Sequence, residues 1–143
     1  MLFRSCTTDI DGNPVALIKG TDPSKKPILI CAHLDSTIQD PEDNTLQVSN
    51  TSIKGPGIAD NSVSAGVLMS LPEILDLLSI HLESDLYIVG LSQSLGKKNL
   101  ISARQFLANW NTPCRGTIIL EGVEIGRINY YSDRKSTRLN SSH

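Results

Sequence analysis

Ile28-Leu29-Ile30-Cys31-Ala32-His33-Leu34-Asp35-Ser36 is the stretch on which the reading of this chain turns. Apolar residues run without a break into His-x-Asp. Such a run is a buried strand, and it delivers a histidine and a carboxylate at its carboxyl end. Open parallel sheets bind ligands just past that end. His33 and Asp35 are therefore candidate members of a metal site, and the segments around them are read for residues that complete it.

Upstream, the chain alternates loosely around Asp11-Gly12-Asn13-Pro14. Asp-Gly and Asn-Pro are turn dipeptides, so the spacing predicts a β-hairpin with Val15-Ala16-Leu17-Ile18 as its second strand. Downstream, Ser36 to Gly57 is a long polar connection of the kind that is often functional, with Leu46-Gln47-Val48 as a candidate short strand. Gly55-Pro56-Gly57-Ile58-Ala59-Asp60-Asn61-Ser62 then opens a helix, and Asp60, Asn61 and Ser62 are all good N-cap types. Val63, Val67, Leu68 and Leu71 fall at helical spacing and form an apolar stripe. Pro72 either kinks this helix or starts a second segment. Apolar residues carry it to about His81, read as a helix C-terminal residue favoured by the dipole.

Asp85 to Leu91 is the next buried strand, and Ser92 to Asn99 a polar loop. Leu100 to Trp110 reads as a helix capped by Asn99 and closed by a packing Trp110. Thr117 to Glu121 is a third strand ending in an acid, and Arg127 to Tyr131 is read as the start of a fourth. Strands alternating with helices imply an α/β fold, a mainly parallel sheet flanked by helices. Right-handed crossovers put the strand ends Asp35, Leu91 and Glu121 on one rim.

The chain has 143 residues, 39% hydrophobic and 20% charged, which is enough for one domain with a real core. No basic stripe points to nucleic acid and no apolar run approaches a membrane span. No apolar leader follows Met1. Cys6, Cys31 and Cys114 are scattered without C-x-x-C spacing, which points to reduced thiols and a cytoplasmic setting. Cys31 and Cys114 read as buried structural thiols. Gly55-x-Gly57 has no third glycine and no following Lys-Ser/Thr, so it is not a nucleotide loop.

Three features share the rim: His33-Leu34-Asp35, Asp60 and Glu121. One histidine with several carboxylates suits Zn²⁺, and a shared carboxylate suits a two-metal cluster. Each feature has a plainer reading. His-x-Asp is also a loop hydrogen-bond pair, Asp60-Asn61-Ser62 also a helix cap, and Glu121 before Gly122 also a solvated turn residue. On those readings the chain is a generic α/β domain without metal.

Ile28 to Asp35, followed by Gly55 to Ser62, resembles the aminoacylase/carboxypeptidase/tripeptidase family of zinc exopeptidases, metallopeptidase family twenty. Leu120-Glu121-Gly122-Val123-Glu124-Ile125-Gly126-Arg127-Ile128 resembles the segment carrying that family's later acidic ligand. The resemblance implies a zinc-dependent hydrolase of peptide or N-acyl amide bonds. It implies two zinc ions, a peptide or N-acyl amino acid substrate, a homodimer for the full-length protein, and neither nucleic acid nor membrane as partner. By it, His33 ligates one metal and Asp35 orients His33 in the catalytic site. Asp60 bridges the metals, and Glu121 joins the metal that His33 holds.

The chain also departs from that pattern. The family's adjacent Glu-Glu pair, one the general base and the other a ligand, corresponds here to Ser92-Gln93, and no acid occurs from Leu86 to Trp110. Neither Ser nor Gln titrates usefully near neutral pH. The expectation is therefore weak activity or none. The alternative is a non-catalytic pseudoenzyme, or peptide-binding domain, on the same fold. The family's last metal histidine and its lid and dimerisation domain have no counterpart here.

Asp133-Arg134-Lys135-Ser136-Thr137-Arg138-Leu139-Asn140-Ser141-Ser142-His143 reads as the in-frame translation of a common sequencing adapter. Residues 133–143 are accordingly set apart as a non-native tail, and 1–132 are taken as a partial metallopeptidase catalytic domain. Without the tail the net charge passes from −2 to −4, through loss of one acid and three bases.

Overall fold

A computed structural model describes residues 4–36, 45–95, 98–122 and 128. The expected fourth strand over 127–131, Ile128 aside, and the tail at 133–143 lie outside the described residues. In chain order the elements are β1 (Arg4–Thr8), β2 (Pro14–Ile18), β3 (Ile28–His33), β4 (Gln47–Val48), β5 (Ile53–Lys54), α1 (Val63–Leu77), β6 (Leu86–Leu91), α2 (Ile101–Asn109) and β7 (Gly116–Ile119).

The main sheet has five strands in the order β1-β2-β6-β3-β7. β3 pairs in parallel with β6 on one side and β7 on the other. β1 and β2 form the expected hairpin and join β6 antiparallel. The sheet is thus mixed and α/β, and its three parallel strands end on one rim. β4 and β5 make a separate small ribbon inside the long connection.

The apolar run of β3 is explained by what covers it. Ile30 and Ala32 pack with Ile18, Leu86, Ile88 and the α1 residues Leu68 and Leu75. Leu29 and Cys31 point the other way, with Val89, the α2 residue Phe106 and the half-buried Tyr87 and Trp110. Period-two alternation therefore feeds two apolar faces, one under each helix. Each fully buried aliphatic side chain contributes about 1.5–3 kcal/mol relative to exposure. Trp110 closes α2, its ring edge-on to Tyr87 at 4.7 Å and tilted against Phe106 at 5.3 Å. The outer strand β7 is different, with Ile118 and Ile119 exposed.

Several local expectations change. Of the expected α1 stripe, Leu68 is buried and Leu71 packs half-buried against the core, but Val63 and Val67 are 38% and 47% exposed, and Ser64 and Leu75 are buried instead. Residues four and seven apart define the buried row, and the sheet selects which row. Pro72 sits inside an unbroken α1, which ends at Leu77, so the exposed His81 lies beyond the helix rather than in its last turn. Asn99 is not the α2 cap; Leu100 holds that position in a left-handed conformation with no side-chain cap bond. No helix among the described residues is long and apolar enough to cross a membrane. Cys6, Cys31 and Cys114 are free thiols; Cys31 is buried and Cys114 is half-buried against the α2-side cluster.

Candidate metal centre

The site is assembled at the carboxyl rim of β3 and β7. β3 delivers His33 as its last residue, and the side chain is 9% exposed. Between Gly57 and α1 the chain makes an irregular helical turn, Ile58–Ser62, in which Asp60 and Asn61 leave helical dihedrals; the Asp60–Asn61 peptide bond is cis. Gly57 opens this turn at φ +69°, a left-handed conformation that favours glycine. Of the expected N-cap residues, Ser62 takes the N-cap position of α1 without a side-chain cap bond, whereas Asp60 and Asn61 lie in the irregular turn before it. Asp60 faces His33 instead.

His33 Nε2 lies 3.1 Å from Asp60 Oδ1 and 3.6 Å from Glu121 Oε2. On the other side of the ring, Nδ1 lies 2.9 Å from the backbone carbonyl oxygen of Asp35. A carbonyl oxygen only accepts, so Nδ1 carries the proton, and Nε2 faces two carboxylates. A lone pair aimed at carboxylate oxygens is unfavourable unless a cation, proton or metal, lies between them. Donors sharing one tetrahedral zinc at bonds of about 2.0–2.2 Å stand roughly 3.3–3.6 Å apart, and the observed spacings bracket that range. An imidazole nitrogen with carboxylate oxygens is a zinc donor set.

The set is partial. Among the described residues no group of three or more His, Cys, Asp and Glu side chains is arranged to hold a metal. Asp60 and Glu121 are 46% and 54% exposed and have room to turn toward a common ion. The residues therefore fit part of the shell of one zinc ion.

Asp35 touches the ring through its backbone, with carboxylate Oδ1 3.7 Å from Nδ1. Its Oδ2 accepts the backbone N–H groups of Ser94 at 2.8 Å and Leu95 at 2.9 Å, tying the loop after β6 to the end of β3. Its Oδ1 is buried without a hydrogen-bond partner. Ser92 is engaged elsewhere: its N–H and hydroxyl both donate to Asn13 Oδ1, at 3.1 and 3.2 Å. Gln93 is exposed at φ +51°. Neither supplies a carboxylate to the rim.

Two residues escaped the sequence reading. Asn13, a turn residue by its sequence, is fully buried, and its Oδ1 joins Ser92 and Ser102. Asn61, 4% exposed, was seen only as a cap. Its sequence signal is its place directly after a candidate ligand. Cys31, beneath the site, has its thiol pushed up to about 11, first by burial and then by the charge of Glu121.

LapB from Legionella pneumophila is among 14 chains of solved structure that match. Its TM-score is 0.55 at 16% identity, over 85% of this chain and 30% of LapB. At that identity the likeness concerns the fold, an α/β unit with a mixed, mostly parallel sheet. The chain spans about 30% of the length of that structure. No curated protein sequence matches the chain. Residues 13–141, however, match the profile described as Peptidase family M28, whose members typically use co-catalytic zinc. This overturns the resemblance to metallopeptidase family twenty. His-x-Asp, a glycine-rich turn with an aspartate and a later acid are short motifs that do not by themselves assign a family. On a match covering most of its residues, the chain belongs to peptidase family M28.

Proposed function

We propose that this chain carries the His33, Asp60 and Glu121 portion of a zinc centre for hydrolysis of peptide or N-acyl amide bonds, and that it has little or no turnover of its own. One observation carries the metal reading. His33 keeps its proton on Nδ1, against the Asp35 carbonyl, and turns Nε2 toward two carboxylates. When bound, zinc polarises a scissile carbonyl and lowers the pKa of water. The chain's own residues set the ring orientation and supply two carboxylates. They supply no carboxylate anywhere from Leu86 to Trp110, and a hydrolase without a carboxylate base forfeits roughly 10²–10⁴ in rate.

A second reading is a pseudoenzyme that binds peptide without cleaving it. It is favoured by the absence of any acid from Leu86 to Trp110 and by the commitment of Ser92 to Asn13. A cytoplasmic location belongs to the same proposal, since the three cysteines are free thiols.

The test is a zinc titration against a chromophoric chelator, paired with hydrolysis of aminoacyl p-nitroanilides and N-acetyl amino acids. We expect one zinc per chain, binding weakened at least tenfold in His33→Ala, and no zinc-dependent turnover. A chain that takes no zinc refutes the metal reading. Zinc-dependent turnover lost in Asp60→Ala refutes the inactive one.

A further inference from the structure

We infer that Asn61 is the positioning residue of this rim, a clasp that sets the distance between His33 and Glu121. The inference rests on the metal reading above. The β3–β7 ladder runs in register only from Ile28↔Gly116 to Cys31↔Ile119. One more backbone bond follows, from Leu120 N to the Cys31 carbonyl at 2.8 Å. Beyond it the two chains carry His33 and Glu121, and the Asn61 side chain stands where the ladder stops. Its Nδ2 donates to the carbonyl of His33 and to the carbonyl of Leu120, both at 3.3 Å. Its Oδ1 accepts the N–H of Gly122 at 3.0 Å.

The amide therefore holds the backbone of one candidate ligand and brackets the second on both sides, and its residue follows the third, Asp60, directly in the chain. A primary amide suits this place, because it presents two donors and an acceptor from one planar group. At 4% exposure these bonds face little competition from water. Neither aspartate, which lacks the donors, nor leucine, which lacks both functions, reproduces the set.

The clasp has a partner in Gly122. A Cβ there would meet the Ala59 carbonyl oxygen at 2.1 Å and Asn61 Oδ1 at 3.3 Å. Glu121 is thus brought against the Asp60 turn by close backbone approach and locked there by Asn61.

The experiment compares the full chain with Asn61→Ala and, as a control for lost stability, Leu75→Ala in the α1 core. Amide hydrogen exchange of Gly122 in the zinc-free chain reads the clasp itself. Zinc affinity, measured by chelator competition with the metal alone, reads its service to the ligands. We expect Gly122 exchange to accelerate at least tenfold more in Asn61→Ala than in Leu75→Ala. Zinc affinity should fall roughly 10–100-fold in Asn61→Ala, the range for residues that orient metal ligands, and less than threefold in Leu75→Ala. Unchanged Gly122 exchange in Asn61→Ala overturns the clasp. Lost protection with zinc affinity kept within threefold overturns the positioning role. A wild-type chain that takes no zinc overturns the metal reading and the positioning role with it, and the exchange measurement still decides whether the clasp exists.

Discussion

Replacing Gly122 by alanine adds one methyl group at the most crowded point of the rim. The new Cβ would lie 2.1 Å from the Ala59 carbonyl oxygen and 3.1 Å from the Ala59 carbonyl carbon, both main-chain atoms with no rotamer to escape into. Side-chain carbons essentially never come within 3.0 Å of such atoms. The Glu121-Gly122 segment and the 57–62 turn must therefore separate by roughly 1 Å, about five times the ±0.2 Å tolerance of metal–ligand distances. Overpacking of this kind costs about 1–3 kcal/mol, a fall of roughly 3–10 °C in midpoint for a chain of this length. The decisive assay is a circular-dichroism melt with and without zinc. At a hundredfold excess over its dissociation constant, zinc adds about 2.7 kcal/mol to a chain that binds it only when folded. The wild-type chain should gain several degrees with zinc. Gly122→Ala should melt lower without zinc and gain almost nothing with it. A variant with wild-type stability and a wild-type zinc shift refutes the argument that backbone contact between Gly122 and Ala59 sets the site.

Two further outcomes follow from groups that are not candidate ligands. Cys31, with its thiol raised to about 11 by burial and by Glu121, should have a thiolate fraction near 10⁻³ at pH 8; alkylation should label the exposed Cys6 and spare Cys31 until the chain unfolds, and equal labelling of the two in the folded chain would contradict its burial. Asp85 is pulled upward by burial, but hydrogen bonds from Lys19 and the Gly20 N–H and the Lys19 charge outweigh this and hold it below 3.8. A carboxylate depressed on folding stabilises the chain above its unfolded pKa and loses that contribution as pH falls through the folded value. Urea midpoints should therefore drop less between pH 5 and pH 3 in Asp85→Asn than in wild type, and identical drops would remove Asp85 from the acid response.

The family assignment shows where short motifs stop. His33-x-Asp35, the Gly55-to-Ser62 turn and Glu121 together specify a rim that collects a histidine and carboxylates. They resemble metallopeptidase family twenty, but a histidine-and-carboxylate rim answers to the same chemistry in whichever chain builds it. The match to family M28 runs over residues 13–141, most of which bear no metal chemistry at all.

Hydrophobic patterning and turn dipeptides by themselves determined the hairpin, the three parallel strands, the two helices and their order, because those depend on neighbours two to four residues apart. The patterning also put His33 and Glu121 on the same rim, through the parallel register of β3 and β7. Tertiary structure decided the rest. The sheet chose the Ser64, Leu68 and Leu75 row of α1 over Val63 and Val67. Docking also made Asn61 a clasp rather than a cap, turned the Asp35 carboxylate to the 94–95 backbone, and gave Ser92 to Asn13. The partners in these bonds lie 28 to 79 residues apart in sequence. No local pattern encodes them, because a polar side chain takes whichever buried donor or acceptor the packed strands leave unpaired.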